Sequence, residues 1–92
     1  MLTALARGAE RIVGNFNPQG LANTAWAFAT LGQPHAQLFT ALAREAERHM
    51  GNFDPQALAN TAWAFSSLGQ LHAQLFTALA REAERRMGNF NP

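Results

Sequence analysis

Gln19, Asn23, Trp26 and Thr30 follow one another at i, i+4, i+7 and i+11, and 37 residues later the same places hold Gln56, Asn60, Trp63 and Ser67. On an α-helix this spacing gathers four side chains on one face. Amides and hydroxyls donate and accept hydrogen bonds, and an indole adds a π face and one N–H donor. Such a set has no group to abstract a proton or attack a carbonyl. It is suited to reading base edges and stacking bases. Single-stranded RNA is a ligand that repeated helical surfaces accommodate in this way, about one base per repeat.

Asn is unfavourable inside a helix because its side chain competes for backbone hydrogen bonds. Something must offset that cost at both Asn23 and Asn60. Two explanations stand. The amides form a hydrogen-bonded ladder between repeats, with Trp26 and Trp63 as core between them. Alternatively, the helices line the inner surface of a superhelix and the amide, hydroxyl and indole groups meet a ligand. Asn17 and Asp54 join the candidate set. They differ between the units, as Thr30 and Ser67 do, and such exchanges are chemically suited to choosing between bases.

Other chemistry is poorly provided for. His35, His49 and His72 have no clustered partners beyond Glu45, four residues before His49. Zinc sites need three or four ligands, so no metal and no cofactor is expected. No nucleophile stands beside a base, no carboxylate pair is evident and no glycine-rich phosphate loop follows a strand. An enzyme is not expected, and no catalytic residue is assigned.

The polar face belongs to a longer repetition. Residues 16–52 fall on residues 53–89 with differences at Asn17/Asp54, Gly20/Ala57, Ala29/Ser66, Thr30/Ser67, Pro34/Leu71 and His49/Arg86. A period of this length marks a solenoid or array. The chain divides into a partial repeat (1–15, second helix only), repeat 1 (16–52), repeat 2 (53–89) and the opening of another (90–92). These boundaries read as a cut through a longer array.

Each unit reads as two helices. Asp54 is a good N-cap and Pro55 suits the first helical position. A first helix over about 55–68 should stop at Gly69, and a second over about 71–87 at Gly88. In repeat 1, Asn17-Pro18 and Gly32 bound the first helix, while Pro34 and Gly51 bound the second. A further helix covers about 2–13. Five helices with short connections favour antiparallel neighbours. Leu58, Ala59, Ala62, Phe65 and Leu68 form one apolar stripe, and Leu75, Phe76, Leu79, Ala83 and Met87 another. Gln74, Thr77, Arg81, Glu84 and Arg85 make a solvated outer face, and Glu82 precedes Arg86 by the favourable four residues.

The 92 residues carry seven Arg, no Lys, six acidic groups and no Cys, for a net charge of +1. Without cysteine there is neither a disulfide framework nor a thiolate metal site. No apolar run approaches the roughly 20 residues that span a bilayer, so no membrane partner is expected. So small a charge implies that nucleic acid would be held by stacking and hydrogen bonds, or by many repeats together. The end faces of a repeat slice are apolar, and end-to-end association is expected.

Phe16-Asn17-Pro18-Gln19-Gly20-Leu21-Ala22-Asn23-Thr24-Ala25-Trp26-Ala27-Phe28-Ala29-Thr30-Leu31-Gly32 and its counterpart at 53–69 carry the pattern F-x-P-Q-x-L-A-N-T-A-W-A-F-x-x-L-G. This resembles the octotricopeptide and heptatricopeptide helical repeats of algal and protist organellar proteins, often found beside a RAP domain. The resemblance implies an all-α, right-handed α-solenoid of antiparallel helix-pair repeats. It also implies organellar RNA binding, in chloroplast or mitochondrion, for transcript stability, processing or translation. Asn23, Thr24, Trp26, Asn60, Thr61 and Trp63 match the signature. The Pro-Pro-Pro-Glu-Trp element of octotricopeptide repeats is missing. The alternative is a protein–protein interaction solenoid of tetratricopeptide-like type, although that family repeats at 34 residues.

Overall fold

In the computed structural model, residues 2–87 are described, and among them the fold is all-helical: α1 (Leu2–Ile12), α2 (Pro18–Thr30), α3 (Ala36–Arg48), α4 (Pro55–Ser67) and α5 (Ala73–Met87). Gly88 as a helix stop and the segment 90–92 lie outside the described residues. Single 3₁₀ turns at Val13–Asn15 and Met50–Asn52 follow α1 and α3. Gly51 therefore sits within a 3₁₀ turn and is not the residue that ends α3, which gives way at His49.

Local chemistry sets the boundaries of α2 and α4. Asn17 Oδ1 accepts the Gly20 N–H at 2.7 Å, and Asp54 Oδ1 accepts the Ala57 N–H at 2.7 Å. Each cap is followed by proline at the first helical position, where a missing N–H costs nothing. At the other end Gly32 and Gly69 adopt φ of +66° and +68°. There Gln33 N–H reaches the Phe28 carbonyl at 2.9 Å and Gly32 N–H reaches Ala29 at 3.0 Å; Gln70 and Gly69 repeat this on Phe65 and Ser66. This is the Schellman closure, which needs a left-handed residue and so favours glycine.

The second helix of each unit starts later than the sequence suggests, at Ala36 and Ala73 and not at Pro34 and Leu71. The reason is common to both units. His35 N–H bonds to the Gln33 carbonyl and His72 N–H to that of Gln70, each at 3.0 Å, which holds an intervening tight turn. Each histidine ring then packs edge-on against the preceding helix, His35 on Phe28 at 5.4 Å and His72 on Phe65 at 5.5 Å.

Packing falls into two sets. The most extensive contact joins α2 to α4, while α1 packs on α3 and α3 on α5. Within a repeat α2 meets α3 and α4 meets α5. The twin sequences reveal which face each helix turns to its neighbour. Ala22 and Ala25 are buried on α2, but their counterparts Ala59 and Ala62 on α4 are not; Ala57, Thr61 and Ala64 are buried on α4, but Gly20, Thr24 and Ala27 on α2 are not. The α2–α4 contact is therefore made by small residues, which permit close approach. Buried Thr61 satisfies its hydroxyl on the Ala57 carbonyl at 2.8 Å.

Phe39, Phe53, Phe65, Leu38, Leu42 and Leu75 fill the centre. Phe39 and Phe65 meet edge to face at 4.9 Å, an arrangement that aromatic quadrupoles favour. Gln74, Thr77, Arg81, Glu84 and Arg85 are exposed on α5 as expected. Arg86 Nε donates to Glu82 at 2.8 Å, and its guanidinium also donates to the Phe53 carbonyl. That second bond ties the end of α5 to the entry of α4.

Candidate nucleic-acid interface

The face of α2 and α4 that turns from the second helices carries the repeated strip. Gln19, Asn23, Trp26 and Thr30 are all exposed, as are Gln56, Trp63 and Ser67, while Asn60 is half-buried. The tryptophans are not core: Trp26 is 46 % and Trp63 50 % exposed. Their rings lie 6.5 Å apart at 38°, so the two indoles touch across the α2–α4 junction. They form one aromatic ledge with its outer surface toward solvent.

No amide ladder accompanies them. Neither Asn23 nor Asn60 makes a side-chain hydrogen bond among the described residues, nor do Gln19, Gln56 or Thr30. Of the two explanations for the asparagines, the inter-repeat ladder is the one the structure does not form. Their donors and acceptors are open to solvent or a ligand.

The remaining candidates already have partners. Ser67 Oγ donates to the Trp63 carbonyl at 2.7 Å, closing back on its own helix. Asn17 and Asp54 spend one oxygen each on capping. They share a shallow hollow of about 160 Å³ with Pro18, Gln19, Asn52 and Ala57, at the N-terminal end of the same face. The structure therefore gathers Gln19, Asn23, Trp26, Thr30, Gln56, Asn60 and Trp63 into one open strip, with Asn17 and Asp54 at its end.

Ala64, next to Trp63 in sequence, is fully buried on the side of α4 that packs against α2. Thr61, on the same buried edge, went unrecognised as a packing residue. The signal was a second small-residue row, Ala57, Thr61 and Ala64, at helical spacing.

No family model matches the chain, and neither the curated proteins nor the solved structures yield a significant match.

The electrostatics of the two helix sets differ sharply. Every arginine lies on α1, α3 or α5: Arg7, Arg11, Arg44, Arg48, Arg81, Arg85 and Arg86. Helices α2 and α4 carry no charged residue, and Asp54 at the α4 cap is the one charge adjoining them. On the charged set, Glu45 pairs with Arg48 at 3.3 Å, and Glu82 lies between Arg85 and Arg86. Hydrogen bonds from Arg85 and then Arg86 hold the Glu82 carboxyl below the usual carboxylate range. Among the described residues no cluster of His, Asp or Glu could hold a metal ion. No helix there is long and apolar enough to cross a membrane.

Proposed function

We propose that this chain forms an α-solenoid whose α2/α4 strip binds single-stranded RNA. The observation that carries the reading is the pair of half-exposed tryptophans in mutual contact, flanked by asparagines with no partner. Base–aromatic stacking contributes about 1–3 kcal/mol per base. Asn23 and Asn60 supply paired donors and acceptors beside the ledge, the chemistry that reads base edges. The resemblance to octotricopeptide-type repeats supports the same direction, with organellar transcripts as the ligand class.

The neutral strip defines the mode of binding. With no arginine on α2 or α4, few counterions are released when RNA docks there. Affinity should then depend weakly on salt, since the slope counts neutralised phosphates. A protein partner is the second reading, and that same missing charge favours it, because exposed Trp is also a common anchor at protein interfaces.

Fluorescence titration separates the two. Pooled single-stranded RNA should quench the tryptophans, with a shallow salt slope, for this chain or one extended by further copies of the unit. Trp63→Ala should weaken binding roughly tenfold or more, the equivalent of about 1.4 kcal/mol, and leave the melting temperature nearly unchanged. If the extended chain leaves RNA unbound at low salt, the RNA reading is wrong.

A further inference from the structure

Between α4 and α5 lies an open trough of about 650 Å³, lined by Leu58, Ala59, Ala62, Phe76, Leu79 and Ala83 among others. One repeat earlier the same positions are Leu21, Ala22, Ala25, Phe39, Leu42 and Ala46, none more than 2 % exposed. What buries them is the following repeat, chiefly α4 on α2 and α5 on α3. The trough is thus a second copy of a surface already sealed once within this molecule. Its occupant must carry the face that α4 turns to α2, namely Ala57, Thr61 and Ala64.

The chain holds a free copy of that face as well. On α2 the counterparts Gly20, Thr24 and Ala27 are half-buried or exposed. Thr24, Ala27 and Leu31, with Leu5 of α1, line a second hollow of about 400 Å³. The two open surfaces are the two halves of the α2–α4 interface, one at each end of the molecule.

We propose that two copies of this chain associate head to tail, α4 of one docking on α2 of the next as α2 already docks on α4. Such a contact is heterologous, so it extends into a filament and does not close as a symmetric dimer. One helix must give way. The arriving α5 belongs where α1 lies against α3, and residues 77–85 match residues 3–11 except for Glu82 in place of Gly8. Helix α1 is the less complete occupant. It carries glycine in its interior, and its Leu5 and Ile12 remain 58 % and 51 % exposed. Exchanging α1 for α5 on α3 replaces one contact by another of similar extent, and the docking adds one of the α2–α4 kind, the most extensive in the molecule. The association is independent of RNA.

Sedimentation velocity over a concentration series tests this with substitutions at positions exposed in the single chain. Ala59→Glu spoils the trough and Ala27→Glu the opposite face; circular dichroism and melting should show both folded. Their counterparts Ala22 and Ala64 are 1 % and 0 % exposed, so docking would bury an unpaired carboxylate, a heavy penalty. Wild-type chains should grow with concentration, and each variant alone should remain monomeric. A one-to-one mixture should form a species of two chains and stop there, since one sound pair of faces remains. Monomeric wild-type chains overturn the proposal, as does association of Ala27→Glu alone, which would mean trough-to-trough pairing. Failure of the mixture to pair overturns it equally.

Discussion

Replacing Ala22 and Ala59 in turn by leucine tests the central packing claim, because the two alanines occupy the same place in twin sequences. Ala22 is 1 % exposed where α2 meets α4, whereas Ala59 lies open on the far side of α4. Leucine is nearly as good a helix former as alanine, so propensity drops out of the comparison. At Ala22 the larger side chain must push apart two helices that approach through small residues. Overpacking of this kind costs about 1–3 kcal/mol. For a domain of this size each 1 kcal/mol moves the melting temperature by roughly 4–8 °C, so Ala22→Leu should lower it by roughly 4–24 °C. Ala59→Leu should change stability by less than about 0.5 kcal/mol, as surface changes usually do. The reciprocal pair is Ala64→Leu, costly, and Ala27→Leu, harmless. Urea unfolding at a dilution where the chains are monomeric measures all four, and an unchanged m-value shows that stability alone has moved. Equal shifts within either pair would refute the assignment of faces, and with it the trough as a free copy of a buried surface.

Further outcomes follow from single contacts. Gly69→Ala places a side chain at φ +68° and should destabilise by about 1 kcal/mol. Gly51→Ala, which meets open space at an ordinary φ, should be neutral or slightly stabilising, so matched thermal melts should separate the two. Glu82, held below its ordinary value by Arg85 and Arg86, contributes stability that is complete above about pH 4.3, the ordinary Glu value. That contribution is lost as pH falls through the lower folded-state value. The melting-temperature gap between wild type and Glu82→Gln should therefore be open at neutral pH and shrink in acid; a gap independent of pH would show that the carboxylate's charge is not what Arg85 and Arg86 read.

Much of this fold is written in local chemistry. The caps at Asn17 and Asp54, the prolines after them and the glycines at 32 and 69 fix α2 and α4 to within a residue. The later start of α3 and α5 was hidden because the turn at Gln33–His35 is held by a backbone bond and a ring contact with Phe28, neither of which a helical period records. The openness of the tryptophans was hidden too. Trp at helical spacing beside Ala reads equally as core or as ledge, and only the tilt of α2 against α4 decides between them.

A deeper limit comes from the repetition itself. Ala22 and Ala59 have the same neighbours in sequence over many residues, and so do Ala27 and Ala64, yet one of each pair is sealed and the other open. Periodicity identifies a face that wants covering; the number of units on either side decides whether it is covered. The same reasoning divides the surface into two kinds of site. The apolar end faces are open copies of the surfaces that α2 and α4 bury against each other. The Trp26–Trp63 ledge stays about half exposed in both units, although its two rings meet across the α2–α4 junction. An aromatic surface left half open where two units meet, with neutral, hydrogen-bonding flanks, is the feature on which the proposed stacking of bases rests.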